Sequence, residues 1–234
     1  MSAYVLIANG PFATQHVILE AIQNRIIIAL DGAADKLIAM DIAPQIILGD
    51  FDSIDPITQE YWGILHDFDT MSITDKPYQG LHGVTIVPTK DQSQTDLVKA
   101  IRYCDAHGAT DISIVCASFG RDDLHEANKL ALETEYRSTR PMTLHSEQQS
   151  LRWAENEDVT LKGQVGDYCG FMAKSPGTCD IQRFCYDGKQ LMNSFCNRLL
   201  ETTATITVKG AALIIMPPQL AAQRRDRDRL RSVL

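Results

Sequence analysis

The sequence predicts an α/β fold: an N-terminal three-layer domain with a mainly parallel sheet over residues 1–140, then a C-terminal antiparallel β-sandwich over 141–234. Two observations carry this. Short β-type runs alternate with stretches of helical period in the first part, the pattern of a parallel sheet covered by helices. After about Pro141 the helical period stops, and short runs follow one another between Gly, Asn, Asp and Pro, the rhythm of a sandwich or barrel.

The elements follow in order. Tyr4–Ala8 is an apolar run without a basic flank that ends at Asn9-Gly10-Pro11, so it reads as a first strand and not a signal peptide. Arg25–Leu30, Gln45–Leu48, Val84–Val87 and Asp111–Cys116 are further short apolar runs, the profile of buried strands. Helical period falls on Thr14–Asn24, Ala33–Met40, Pro56–Leu65, Thr95–Ala106 and Leu124–Tyr136. In the fourth of these, Leu97, Ala100, Ile101 and Cys104 recur at i, i+3, i+4, i+7 and mark one buried face. Residues 66–83 are polar with Gly and Pro and read as a long irregular excursion. In the second part the expected strands are Met142–His145, Ser150–Trp153, Val159–Leu161, Asp167–Ala173, Gln182–Tyr186, Thr203–Val208 and Ala211–Met216. The tail Arg224–Arg231 interleaves arginine with aspartate, as a solvated helical end would.

Bulk properties exclude several function classes. The 234 residues carry a net charge of −8, which argues against a general nucleic-acid binder that works by neutralising phosphates. A single small phosphorylated ligand is compatible with it, because a bound metal reverses the local sign. No apolar stretch approaches the length of a membrane span. The six cysteines (104, 116, 169, 179, 185, 196) contain no Cys-x-x-Cys pair, and with no secretion signal they are expected as reduced thiols in a cytoplasmic protein.

The chemistry concentrates at strand ends. Asp31 follows the second strand, Asp50 and Asp52 follow the third, and Asp91 and Asp96 lie just past the fourth. In an open parallel sheet, ligands bind outside the carboxyl ends of the strands. Singly, each aspartate is as well explained as a turn or helix cap. Together, five carboxylates on one sheet edge repel each other, and a hard cation such as Mg²⁺ removes that penalty. The usual phosphate-binding glycine loops are missing; Asn9-Gly10 and Asp31-Gly32 offer only short turns. Arg121 is either a phosphate ligand or one half of a surface ion pair with Asp122 or Asp123.

The blocks Asp31-Gly32-Ala33-Ala34-Asp35-Lys36-Leu37, Gly49-Asp50-Phe51-Asp52-Ser53 and Asp91-Gln92-Ser93-Gln94-Thr95-Asp96, in this order and spacing, resemble thiamine pyrophosphokinase. Gly120-Arg121-Asp122-Asp123-Leu124 with Ala127-Asn128 is similar to that family's arginine block. The resemblance covers the whole chain and implies transfer of a pyrophosphoryl group from ATP to the hydroxyl of thiamine, with Mg²⁺, by a homodimer. It implies metal-holding roles for Asp31, Asp50, Asp52 and Asp96, with Asp96 and Arg121 nearest the chemistry. Asn9, Gly10, Gly32, Ser53, Asp91, Gln92, Thr95, Arg121 and Asp123 would meet the nucleotide. Asn128, Phe184, Cys196 and Asn197 would meet thiamine, with core packing as the competing reading of Phe184 and Cys196. The chain departs from the family pattern at Ala33 and Phe119, which replace glycines, at Asp35 for Asn, at Leu124 for a histidine that here comes one position late as His125, and at Cys196 for serine. Two other readings stay open: a diphosphokinase acting on a hydroxymethylpterin, and a non-catalytic nucleotide- or thiamine-binding homologue.

Overall fold

The computed structural model describes residues 2–65 and 76–220, which fall into two compact units divided between Ala131 and Leu132. Unit one runs β1 (Ser2–Ile7), α1 (Gln15–Ala21), β2 (Ile26–Leu30), α2 (Ala33–Ile38), β3 (Ile46–Gly49), α3 (Pro56–Trp62), β4 (Tyr78–Gln79), β5 (Thr85–Pro88), α4 (Asp96–Ala106) and β6 (Ala109–Val115). A last helix, α5 (Asp122–Thr134), straddles the division between the units.

The sheet of unit one has the order β6-β1-β2-β3-β5-β4, all parallel except the edge strand β4. Strands buried on both faces need apolar side chains at every position. Leu6, Ile28, Leu48, Ile86 and Ile114 accordingly show 0% exposure, and trimming any one to alanine would cost about 2–5 kcal/mol. The connections β1-α1-β2 and β2-α2-β3 run one way across the sheet, whereas β5-α4-β6 returns past β1. Right-handed crossovers therefore put α4 on the face opposite α1 and α2, giving three layers. The chain leaves β1 and enters β6 in opposite directions, so their adjacent carboxyl ends form a crevice.

Local signals set the helix ends. Asp55 caps α3 through a 2.9 Å bond from the Ile57 amide, Pro56 opens the helix, and Gly63 closes it in the left-handed region at φ 69°. Thr95 caps α4 by accepting the Val98 amide at 3.4 Å. Part of the irregular excursion over 66–83 turns out to be ordered: β4 pairs with β5, and residues 66–75 lie outside the described ones.

Unit two contains β7 (Met142–His145), β8 (Ser150–Glu155), β9 (Asp158–Lys162), β10 (Tyr168–Gln182), β11 (Gly188–Leu191), β12 (Asn193–Arg198) and β13 (Thr203–Met216). The expected separate strands Thr203–Val208 and Ala211–Met216 are one strand, turned at Gly210, whose φ is 85°. Residues 170–174 of β10 pair with 211–215 of β13, and after a register shift 178–182 pair with 205–209. One half of this long pair carries β12 and β8; the other carries β11 and β9. Leu161, Phe171, Cys179, Ile206 and Ile214, drawn from both halves, share a single core. The expected strand Gln182–Tyr186 is instead the end of β10 and a loop, and β11 and β12 were not foreseen: their exposed, polar residues lack the apolar alternation of a half-buried strand. The tail 224–231 lies outside the described residues.

Candidate functional site

Glycine at the end of β3 lets two strand ends close on each other. A Cβ on Gly49 would stand 3.1 Å from Cβ of Asp31. The next residues form a tight turn in which Phe51 takes a positive φ of 68° and buries its ring at 2% exposure. Gln59, buried on α3, donates to the Phe51 carbonyl at 3.1 Å and to the Ile54 carbonyl at 2.8 Å. With Phe51 anchored inward, Asp50 and Asp52 are held on the outer side of the turn.

Carboxylate oxygens of Asp31 and Asp50, just past the ends of β2 and β3, and of Asp96, in the first turn of α4, lie within 4.8 Å of one another. Asp31 is 7% exposed, and its Oδ1 has no hydrogen-bond partner among the described residues. Burial pushes its carboxyl above the ordinary range; the Ser53 hydroxyl and Gly32 amide oppose this, while Asp96 and Asp50 add to it. Asp96 is likewise raised, mainly by burial, against the pull of Lys99 at 3.0 Å. Gln92 donates to Asp50 at 2.6 Å. Asp52 is not in the triad: it is exposed and accepts the Ser53 hydroxyl at 2.9 Å, although its charge reaches Asp96. Among the described residues Lys99 is ion-paired with Asp96 alone of the three carboxylates, which leaves a deficit of positive charge. An oxygen-only donor set with a buried, unpartnered oxygen suits a hard divalent cation.

A cavity of about 610 Å³ opens beside the triad, at the crevice between the ends of β1 and β6. Here the Gly10 amide donates to the Cys116 carbonyl at 3.1 Å, and a Cβ on Gly10 would come 2.4 Å from that oxygen. Asn9, Gly10, Ser53, Thr95, Arg121 and Asn128 line the cavity along with Asp31 and Asp96. Gly32 sits behind them, packed so closely that a Cβ would meet the Asn9 amide at 2.4 Å. Arg121 is held from Nε and Nη2 by both oxygens of Asp123, at 3.1 and 2.6 Å, which raises the arginine and lowers the aspartate. Asn128 is buried and donates to the Ala117 carbonyl at 2.8 Å. Asp91 is exposed, outside the triad, and accepts the Ser93 amide at 2.8 Å in its own turn.

In unit two, Phe184 is 2% exposed within the core cluster, so its ring offers no face to a ligand. Asn197 spends its whole amide on structure: it accepts the Tyr186 and Arg198 amides and donates to the Tyr186 carbonyl and the Ser194 hydroxyl. Cys196 is exposed and lines a second cavity, of about 330 Å³, with Tyr168, Phe195 and Ile215.

The family model described as thiamin pyrophosphokinase, catalytic domain, matches residues 19–144. The chain belongs to the thiamin pyrophosphokinase family. Its fold is similar to that of the Bacillus subtilis thiamine pyrophosphokinase, with a TM-score of 0.73 and 19% identity over 93% of this chain and 100% of that one. The Candida albicans enzyme gives 0.71 and 17% over 93% and 89%, and the yeast enzyme 0.71 and 14% over 92% and 86%. Comparison with curated protein sequences finds no match. No helix among the described residues is long and apolar enough to cross a membrane.

Set against this family fold, sequence reasoning passed over three residues at the site. Lys36 lines the cavity, donates to the carbonyls of Asn9 and Gly10 at 3.3 and 3.0 Å, and lies 5.0 Å over the Phe12 ring. Lys99 reaches both Asp96 and the Thr89 carbonyl. Its i, i+3 spacing from Asp96 was a readable signal. Gln59 carried none, since its partners are backbone carbonyls.

Proposed function

We propose that this thiamine diphosphokinase transfers the pyrophosphoryl group of ATP to the thiamine hydroxyl, giving thiamine diphosphate and AMP, with Mg²⁺ held by Asp31, Asp50 and Asp96. The observation that carries the reading is the three-carboxylate cluster with its unpartnered Asp31 oxygen, opening on a cavity that also holds Lys36 and Arg121. Asp31, Asp50 and Asp96 would hold the cation there, and it would supply positive charge against the polyphosphate.

The chain's own residues supply positioning and charge, which is most of what displacement at phosphorus requires. Lys36 and Arg121 face the polyphosphate, and Asp123 fixes the plane of the guanidinium. The Gln92 bond to Asp50 sets the orientation of that carboxylate. The thiamine hydroxyl oxygen forms a new bond to the β-phosphorus, the bond from that phosphorus to the α,β-bridging oxygen breaks, and AMP leaves. The hydroxyl proton is released, with Asp96 as its acceptor at the cavity wall. In unit two, the cavity beside Phe195 and Cys196 is the candidate surface for the acceptor's rings. Exposed Tyr168, Met172 and Phe195 on β10 and β12 favour pairing of two chains through this unit. Sedimentation at micromolar concentration should then give a dimer, and a monomer that turns over thiamine would refute it.

The deciding assay is AMP release from ATP and Mg²⁺ with thiamine and, separately, with a hydroxymethylpterin. Release with thiamine alone supports the proposal. Release with the pterin alone moves the acceptor to that class, and nucleotide binding without release with either leaves a binding protein.

A further inference from the structure

The loop after β6 carries an exposed aromatic ring at the edge of the phosphate-compatible cavity. Phe119 is 61% exposed and lines that cavity together with Pro11 and Leu124. Its ring lies parallel to that of His125, with centroids 5.7 Å apart and planes 9° apart, an offset stack. Its backbone is in the left-handed region at φ 67°, a conformation natural to glycine and costly for any residue with a Cβ. Phe119 thus occupies a backbone conformation that suits glycine. Gly120 follows at φ 87° and packs on the Pro11 ring, where a Cβ would stand 3.1 Å away. The ring is therefore backed by a second aromatic residue, and the glycine that follows it packs on Pro11 in the loop after β1.

We propose that Phe119, backed by His125 and flanked by Pro11 and Leu124, is a stacking platform for the purine base of the nucleotide donor. This rests on the assignment of ATP as donor above. An apolar shelf accepts a flat ring by its face. The ring it takes must belong to a molecule whose other end suits the rest of the cavity. Arg121, two residues along, and Lys36 both favour an anionic tail. A nucleotide joins a neutral flat base to a polyphosphate. Thiamine carries a cationic ring that these two cations repel. Carbon walls give no donors or acceptors for the base edge, so the shelf selects ring area and not base identity. Purine nucleotides should serve about equally, and pyrimidine nucleotides less well.

The test uses the full chain with Mg²⁺ and compares Phe119→Ala, Phe119→Gly and Phe119→Trp. Loss of one base–aromatic stack should raise KM for ATP about tenfold in the Ala and Gly variants. KM for thiamine and kcat should stay within about twofold, and Phe119→Trp should restore the ATP value. Calorimetric titration with ADP, without thiamine, should show the same loss of affinity. Inhibition by tripolyphosphate, which has charge but no base, should not change. The proposal is overturned if Phe119→Ala leaves ATP and ADP unaffected, raises KM for thiamine instead, or weakens tripolyphosphate equally, the last showing that Phe119 only shapes the loop. A wild-type chain that binds no ADP and releases no AMP overturns the donor assignment itself. A wild type that does both beside a silent Phe119→Ala overturns the platform alone.

Discussion

The side-chain amide of Gln59 donates to the main-chain carbonyl of Phe51 at 3.1 Å, tying α3 to the turn that displays two aspartates on its outer side. The same nitrogen serves Ile54 at 2.8 Å, so one buried amide satisfies two carbonyls that no regular element pairs.

Gln59→Leu keeps the volume and removes both bonds. Leaving the Ile54 carbonyl without its donor, and the Phe51 carbonyl with only the 3.5 Å bond from the Ile54 amide, should destabilise the fold by about 2 kcal/mol. The loosened turn should also raise the Mg²⁺ concentration needed for half-maximal activity several-fold. Thermal melting and a Mg²⁺ titration read the two effects. A lower Tm with an unchanged Mg²⁺ requirement would mean that Gln59 supports the fold but not the site.

Asp50 and Asp52 share this turn but not its geometry. Asp50 is in the triad and bonded by Gln92, whereas Asp52 is exposed and acts on Asp96 by charge alone. Asp50→Asn should cut turnover by about a hundredfold or more, the scale of losing a preorganised electrostatic contact. Asp52→Asn should cost less, about tenfold. Both should fold normally by circular dichroism. Near-wild-type turnover for Asp50→Asn at saturating Mg²⁺ would remove the metal assignment.

The strand-helix alternation, the parallel sheet and the strand-end aspartates were legible because burial on both faces forces continuous apolar runs, and the second and third of them pass abruptly into Asp31 and Asp50. The second unit was legible as β but not in detail. Residues 193–198 of β12 are mostly exposed, and β13 runs on past Gly210, where its register against β10 shifts, so a glycine that reads as a break is a bend. Phe184 and Asn197 illustrate the other limit: a motif position shows residue type, but only packing shows whether the ring or amide is already committed.

Asp31→Asn separates the stability of the fold from the needs of the site. Burial raises the Asp31 carboxyl above 3.8, so the folded state binds its proton more tightly than the unfolded state does. In the metal-free protein, stability is therefore lost as pH rises from the ordinary carboxylate range through the raised folded value. Above that raised value the penalty is fully present. The neutral amide escapes it, so the metal-free variant should melt higher than the metal-free wild type at pH 7. This difference should shrink toward pH 4. Added Mg²⁺ should raise the wild-type Tm and leave the variant's nearly unmoved. A variant that melts lower than wild type at pH 7 without metal would show that the charge is compensated by contacts other than a cation.

Arg121 tests the alignment of the arginine block. Its guanidinium is held by two near-parallel bonds to Asp123, from Nε and Nη2, which leaves Nη1 free of that pairing and fixes the plane. Lysine is a point charge on a flexible stem and cannot reproduce that plane. Arg121→Lys should therefore lower kcat/KM at least about tenfold with the fold intact, and Asp123→Asn should do so partially by releasing the guanidinium. Because Arg121 holds Asp123 below its usual range, the tether is lost only as pH falls beneath 3.8, and these effects should be independent of pH between about 6 and 9. His125, one position later than the family's histidine, is the competing residue. Its ring stacks on Phe119 and its Nδ1 is buried without a partner among the described residues. His125→Ala should then act through nucleotide KM and not through kcat. If it abolishes kcat while Arg121→Lys is silent, the histidine has taken the arginine's role and the block is misaligned.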